Sequence, residues 1–369
     1  MYWLTVILIL PYLILLIIIY RSLLKIKPYK ATFLPSSFVT VVVACRNEER
    51  NLPSLLKNIE RQDYPEGLFE VIIVDDNSTD KTHETASDYT GQLNIITINN
   101  KGTGKKQAIR TAIEASSGNL VITTDADCRM GKRWISTIAS YYEANKPDLI
   151  ICPVQIAPRK GFFGRFQELE FLSLQGITAG CTLAGNPTMC NGANLAFTRE
   201  AYLNHSGYLH DEIASGDDIY LLHSIKKDKN PRVSWLESAD SVVTTASSPT
   251  VMAFLKQRRR WISKGKSYDD RATILLAVAT FVTILLMVSL LVAAIIIPEL
   301  LKVFLVVLTL KSIPDLLILR NTSARYGKSS LMKWFLPSQI VYPFYVLCVF
   351  IFSLIPAKRD INSPSPREI

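Results

Sequence analysis

The chain has 369 residues, 49% hydrophobic and 20% charged, and its mean hydropathy is positive. This composition excludes a disordered or low-complexity protein and is too apolar for one ordinary soluble domain. Forty-one basic against 32 acidic residues leave a formal charge of +9, an excess that suits nucleic acid, an anionic membrane surface or a phosphorylated substrate.

Tyr2 to Tyr20 is almost wholly apolar, and at 1.5 Å per residue it crosses a hydrocarbon core of about 30 Å. It does not read as a signal peptide, since no basic residues precede it and no small-x-small site follows. Arg21, Lys25, Lys27 and Lys30 come directly after, which places the following domain in the cytosol. We expect an N-terminal membrane helix over 1–22, a globular domain over 36–245, an interfacial segment over 246–270, about three membrane helices within 271–356 and a tail over 357–369.

Within 36–245, Phe38–Ala44, Glu70–Val74, Asn94–Ile98 and Asn119–Thr123 are short β-branched runs. Helical patterns around Leu52–Ile59 and over Lys105–Ala115 alternate with them. The alternation predicts an α/β domain with a mainly parallel sheet, whose ligands bind beyond the strands' carboxyl ends. Polar residues follow each of these strands. Ala44-Cys45-Arg46-Asn47-Glu48 comes after the first, Asp75-Asp76-Asn77-Ser78-Thr79-Asp80 after the second and Asp125-Ala126-Asp127 after the fourth. Ser78 or Asp80 alone would be an ordinary helix cap, but three acidic clusters at three strand ends converge on one crevice.

Asp125 and Asp127 form a D-x-D at a strand terminus, suited to sharing a hard divalent cation with diphosphate oxygens. Gly102-Thr103-Gly104-Lys105-Lys106 fails as a phosphate-loop motif, because Asn99 stands where its first glycine belongs and Lys106 where Ser or Thr belongs. Lys105 remains a candidate for a diphosphate at a helix start. Gly216-Asp217-Asp218 offers an acid pair suited to a general base.

Phe162–Leu174 and Val251–Trp261 read as interfacial or as core-facing helices. Gln257-Arg258-Arg259-Arg260-Trp261 reads on its own as a juxtamembrane basic anchor with an interfacial tryptophan. Beyond it, Ala272–Ile297, about Val303–Leu319 and about Trp334–Ile355 are the C-terminal membrane candidates. Lys311 and Asp315 interrupt the second of these as an i,i+4 pair that can neutralise itself at membrane depth, either packed structurally or holding a polar head group. Arg320, Arg325, Lys328 and Lys333 place the link between the last two inside, and Lys358 and Arg359 then fall outside. The six cysteines, Cys45, Cys128, Cys152, Cys181, Cys190 and Cys348, include no CxxC pair and no histidines at zinc spacing, and read mostly as reduced structural thiols.

VVVACRNEE, VDDNSTD, TTDADC, GANLAFTREAY, GDDIYLL and QRRRW, in that order, resemble the membrane-bound family 2 inverting glycosyltransferases, the group of cellulose, chitin and hyaluronan synthases and ceramide glucosyltransferases. The resemblance covers roughly Phe38 to Trp261. It implies a GT-A-type nucleotide-sugar-binding domain flanked by membrane helices. Ala44, Arg46, Glu48 and Asp75 or Asp76 would hold the donor, Lys105 its diphosphate, and Asp125 and Asp127 the nucleotide sugar with Mg²⁺ or Mn²⁺. Asp218, with Asp217 in place of the usual Glu and Gly216 in place of the usual Thr, would be the base. Asn191, Gly192, Gln257, Arg260 and Trp261 would lie at the acceptor and diphosphate.

The implied protein is a transferase in a bacterial inner membrane, taking a sugar, most often from a uridine-diphosphate carrier, to a lipid or glycan acceptor. A processive synthase, an inactive membrane scaffold and a transporter are the competing classes. Nucleic-acid binding is set aside, because the basic residues cluster at membrane flanks and no recognition motif occurs.

Overall fold

The computed structural model describes residues 2–208 and 216–355; the tail over 357–369, with Lys358 and Arg359, lies outside them. The helices are α1 Tyr2–Leu23, α2 Leu52–Glu60, α3 Thr82–Ser87, α4 Lys105–Ala115, α5 Trp134–Asn145, α6 Gly161–Leu183, α7 Arg199–His205, α8 Asp217–Ile225, α9 Val251–Ser263, α10 Arg271–Ala293, α11 Leu300–Arg325 and α12 Phe335–Leu354. The strands are β1 Val39–Cys45, β2 Phe69–Asp75, β3 Ile95–Asn99, β4 Leu120–Thr124, β5 Arg129–Met130, β6 Leu149–Ile151, β7 Val154–Ile156, β8 Leu195–Thr198, β9 Val233–Trp235 and β10 Val243–Thr245. They fall into two compact units, one of residues 26–157 and 189–246, the other of residues 1–25, 158–188 and 247–369.

The first unit holds both sheets. The larger has the order β3-β2-β1-β4-β8-β6-β9, parallel from β3 to β4 and antiparallel where β8 joins β4 and β6. Every residue of β2 and β4 is buried, as continuous Val/Ile runs require when helices cover both faces of a sheet. The smaller sheet runs β5-β10-β7. All four expected strands form, within one or two residues of the predicted ends.

Glu70 fixes the strand starts: it accepts hydrogen bonds from the Thr40 hydroxyl and the Ser117 N–H, each at 2.7 Å. Thr40 in turn accepts from the Gly118 N–H at 2.9 Å. A Cβ on Gly118 would come within 2.6 Å of the Thr40 backbone nitrogen, so only glycine allows this approach.

The second unit is helical. On α1, Ile9, Tyr12, Leu16, Ile19 and Leu23 are buried while Ile7, Leu10, Ile14, Ile17 and Ile18 are exposed, a 3–4 spacing that gives this uniformly apolar helix one packed face. Ile9 joins Met287 and Leu290 of α10 and Leu300, Val303 and Val307 of α11 in one core. On α6, Phe166, Leu169, Phe171 and Leu172 are buried, so this stretch is core-facing. The span 36–245 is thus interrupted by Pro158–Thr188, which belongs to the helical unit.

Three helical stretches among the described residues are long and apolar enough to cross a membrane: Thr5–Leu23, Arg271–Ala293 and Ser329–Leu354. This gives two C-terminal candidates rather than about three. The stretch Val303–Leu319 lies in the unbroken helix α11, but Lys302, Lys311, Asp315 and Arg320 along it break up its apolar length. Lys311 is 1% exposed. Its Nζ meets Asp315 at 2.7 Å and Gln339 of α12 at 2.7 Å, and lies 4.7 Å from the Tyr342 ring centre. The Tyr12 hydroxyl of α1 donates to the other oxygen of Asp315. The pair is therefore structural, tying three helices together.

Replacing Gly118 by Ala is expected to destabilise the protein by about 1–3 kcal/mol, the usual result of overpacking. A lowered thermal midpoint in detergent would show it, and an unchanged one would contradict the close approach.

Candidate active site

The first sheet unit builds its site from the loops after β1, β2, β3 and β4. In the first two, Asn47 and Asn77 have positive φ, 55° and 57°, a conformation asparagine tolerates better than most residues. Asn47 donates its N–H to the Ser78 hydroxyl at 2.9 Å and accepts from the Thr79 N–H at 2.8 Å. Asn77 donates to the Gly102 carbonyl at 3.0 Å. Each asparagine therefore ties one loop to the next. Asp80 accepts from the Thr82 N–H at 3.0 Å and the Glu49 N–H at 3.2 Å, joining the start of α3 to the loop after β1, while Lys81 holds the cap position of that helix. These ties are invisible in sequence, because a left-handed asparagine looks like any loop asparagine.

The predicted donor residues divide by what they already hold. Asp76 is buried, and its Oδ1 accepts from Asn100 at 2.7 Å and from the Gly104 N–H at 2.8 Å. It thus fixes Gly104, whose φ is 91°, immediately before Lys105. Asp75 is equally buried, and its Oδ1 has no hydrogen-bond partner, an oxygen whose desolvation a ligand donor would offset. Glu48 accepts from Asn51 at 2.7 Å, and its own N–H donates to Thr82 at 2.7 Å. Ala44 is half-buried near the end of β1, and Arg46 is exposed.

Lys105, the first residue of α4, pairs with Asp125. Asp127 accepts from the Thr245 hydroxyl of β10 at 3.0 Å. The acid pair opens α8 behind Gly216, which has φ 103°. Asp218 accepts from the Gly192 N–H at 3.0 Å and from the Ile219 N–H at 2.8 Å. Gly192 is held by Thr123 of β4, whose hydroxyl donates to its carbonyl at 2.8 Å. The neighbouring Asn191 accepts from the Ala193 N–H at 3.0 Å.

Gly192 is the meeting point. A Cβ there would lie 3.5 Å from Lys105 Nζ, 3.6 Å from Asp218 Cβ and 3.7 Å from Asp217 Oδ2. One cation and the acids from β4 and α8 thus gather within one small space.

The field there is negative. Burial, and then the charges of Glu48, Asp75, Asp125 and Asp80, push the Cys45 thiol far above its ordinary range. Burial followed by Asp125 and Asp127 pushes the Cys128 thiol up to about 12. Burial alone would draw the Lys105 ammonium down, but Asp125, Asp217 and Asp218 outweigh it and leave it raised. Lys105 therefore stays charged at every ordinary pH.

Among the described residues no group of three or more His, Cys, Asp or Glu side chains could hold a metal ion. Asp125 and Asp127 are two hard oxygen donors at one strand end, and fit Mg²⁺ or Mn²⁺ only where phosphate oxygens complete the shell.

Gln257, Arg260 and Trp261 belong to the helical unit, on α9. Arg260 is exposed, and Trp261 is half-buried.

Residues 40–205 match the Glycosyl transferase family 2 model. The match spans a little under half of the chain. Over 246 residues, 65% of it, the chain is 28% identical to the β-monoglucosyldiacylglycerol synthase of a Nostoc species, spanning about half (51%) of that protein's length. It is 39% identical over 105 residues to the undecaprenyl-phosphate 4-deoxy-4-formamido-L-arabinose transferase of Pseudomonas aeruginosa, a stretch of 27% of this chain and 30% of that one. Among solved structures, the mannosyltransferase PcManGT of Pyrobaculum calidifontis, in complex with GDP-Man and Mn²⁺, superposes with a TM-score of 0.58 at 18% identity, over 96% of this chain and 98% of that one. The fold is accordingly GT-A-like, with the mostly parallel central sheet expected from the strand alternation.

Burial and the neighbouring Asp125 and Asp127 keep the Cys128 thiol protonated at pH 8. Iodoacetamide at that pH is expected to leave Cys45 and Cys128 unmodified in folded protein and to label both after denaturation, as read by mass spectrometry. Native labelling of either would contradict the burial and the field.

Proposed function

We propose that the protein transfers a sugar from a nucleotide-diphosphate sugar to the hydroxyl of a lipid-linked acceptor, with inversion at the anomeric carbon. The observation that carries this is the gathering of Lys105, Asp217 and Asp218 around Gly192, with Asp125 bonded to Lys105. A diphosphate needs the cation, and an attacking hydroxyl needs the base. The relatives named as a diacylglycerol glycolipid synthase and an undecaprenyl-phosphate transferase support a lipid acceptor, as do the three apolar helices.

In this reading the donor's nucleoside lies over the β1 and β2 ends, where the unpartnered Asp75 oxygen and Glu48 accept its hydroxyl or base N–H groups. The Lys105 ammonium turns from Asp125 to the diphosphate and stabilises the negative charge that develops as the sugar departs. Asp125 and Asp127 would hold Mg²⁺ or Mn²⁺, which when bound neutralises diphosphate charge. Asp218 takes the proton from the acceptor hydroxyl, and that oxygen attacks the anomeric carbon on the face opposite the diphosphate. The Gly192 and Ile219 N–H groups keep the Asp218 carboxylate oriented for this. Within the helical unit, Trp261 offers an apolar face to a sugar ring. The sheet unit faces the cytosol, where nucleotide sugars are made, and Arg21 and Lys25 after α1 support that orientation.

Purified full-length protein offered a panel of nucleotide sugars with a lipid acceptor, in Mg²⁺, Mn²⁺ or EDTA, is expected to release nucleotide from one donor, and only with metal. Release from none would overturn the transferase reading. Asp218→Asn is expected to lower turnover by about 10²–10⁴-fold, the usual range for loss of a general base, with donor affinity within twofold; wild-type turnover would remove the base assignment. Asp127→Ala is expected to weaken donor binding in Mn²⁺ and to leave binding in EDTA unaltered, measured by calorimetry.

A further inference from the structure

The three arginines of Gln257-Arg258-Arg259-Arg260-Trp261 have three different surroundings within the helical unit. Arg260 is exposed. Arg259 lies 4.7 Å from the Phe352 ring centre and donates to the Ile355 carbonyl just past the end of α12. Arg258 is only 3% exposed.

Arg258 is bound on every side. Its Nε and Nη2 grip the two oxygens of Glu170 on α6, at 3.0 and 2.5 Å, a bidentate geometry available to arginine and not to lysine. Its Nη1 donates to the Gln257 side-chain oxygen at 2.6 Å. Its guanidinium carbon lies 4.4 Å from the Phe254 ring centre and 4.1 Å from that of Trp261, within cation–π range. Glu170 also accepts from the Tyr345 hydroxyl of α12 at 3.1 Å, and Tyr345 stacks on Phe254 with ring centres 5.3 Å apart.

We propose that Arg258, anchored by Glu170, is a positioning residue that sets Gln257 and Trp261 for the acceptor. The inference rests on the transferase reading above, which places those two residues on the acceptor side. Two consequences follow from the contacts. The Gln257 oxygen is occupied by Arg258, so the group it offers a ligand is its NH₂, a donor suited to a hydroxyl or phosphate oxygen. The Trp261 indole is held by the guanidinium, so it meets an acceptor in one fixed orientation rather than by ordering on contact.

Loss of either charge would leave its partner buried and unpaired, and such a variant can fail to fold. The test therefore uses Arg258→Lys, which keeps the charge but loses the fork and the planar stack. A second variant, Glu170→Gln combined with Arg258→Gln, removes both charges together. Full-length protein is assayed for thermal midpoint, donor Kd, donor hydrolysis without acceptor, and transfer at varied acceptor concentration. The expected result for a folded variant is a tenfold or larger loss in kcat/KM for the acceptor, carried mainly by KM. Donor Kd and hydrolysis should stay within twofold of wild type. Unaltered acceptor KM in a folded variant, or a parallel loss of donor affinity, would overturn the positioning role, as would failure of both variants to fold. Wild-type protein that transfers nothing to any acceptor would overturn the transferase reading itself, an outcome visible before any variant is made.

Discussion

The parallel pairing of β1 between β2 and β4 is the constraint on which the site depends. With Val39 opposite both Phe69 and Leu120, three strands start level, and β4 ends at Thr124 opposite Val43, shortly before β1 and β2 end at Cys45 and Asp75, so the loops that follow them emerge along one edge of the sheet. Acids that lie about 30 and 50 residues apart in sequence become neighbours with no further device. Glu70, Thr40 and Gly118 lock the opposite ends of the same strands, so register is fixed at the end away from the chemistry.

Gathering that much negative charge is unfavourable, and the structure offsets it mostly with backbone N–H groups and one lysine. Asp76, Asp80 and Asp218 accept from main-chain nitrogens of Gly104, Thr82 and Gly192, while Lys105 answers Asp125. Acids bonded in this way are fixed in place as well as stabilised. The same bonds assign different duties to adjacent acids: Asp76 holds the loop before Lys105, while Asp75 keeps a buried oxygen without a partner.

The strands and the polar loops that follow them were legible because each depends on local pattern: β-branched runs, turn residues and acids directly after them. The unit boundaries were not, since α6 carries Gln167, Glu168 and Glu170 among its buried residues, and a helix that buries such groups reads as interfacial until its partners are known. Asn47 and Asn77 escaped because their role lies in backbone angles. Arg258 escaped because three successive arginines look alike in sequence, and only the packing of α9 tells which one is inside. The packing of the Lys311–Asp315 pair depended likewise on Gln339 and Tyr12, contacts no window of sequence contains.

The buried Lys311 of α11 also bears on how the chain is assembled. A helix with that many charges is a poor substrate for insertion by hydrophobicity alone, and the groups that neutralise it lie on helices made at different times. Tyr12 is synthesised long before Asp315, whereas Gln339 and Tyr342 emerge after it. The polar partners of Lys311 are therefore complete only once α12 has packed against α11. A chain truncated before α12 would leave Lys311 without Gln339 and the Tyr342 ring.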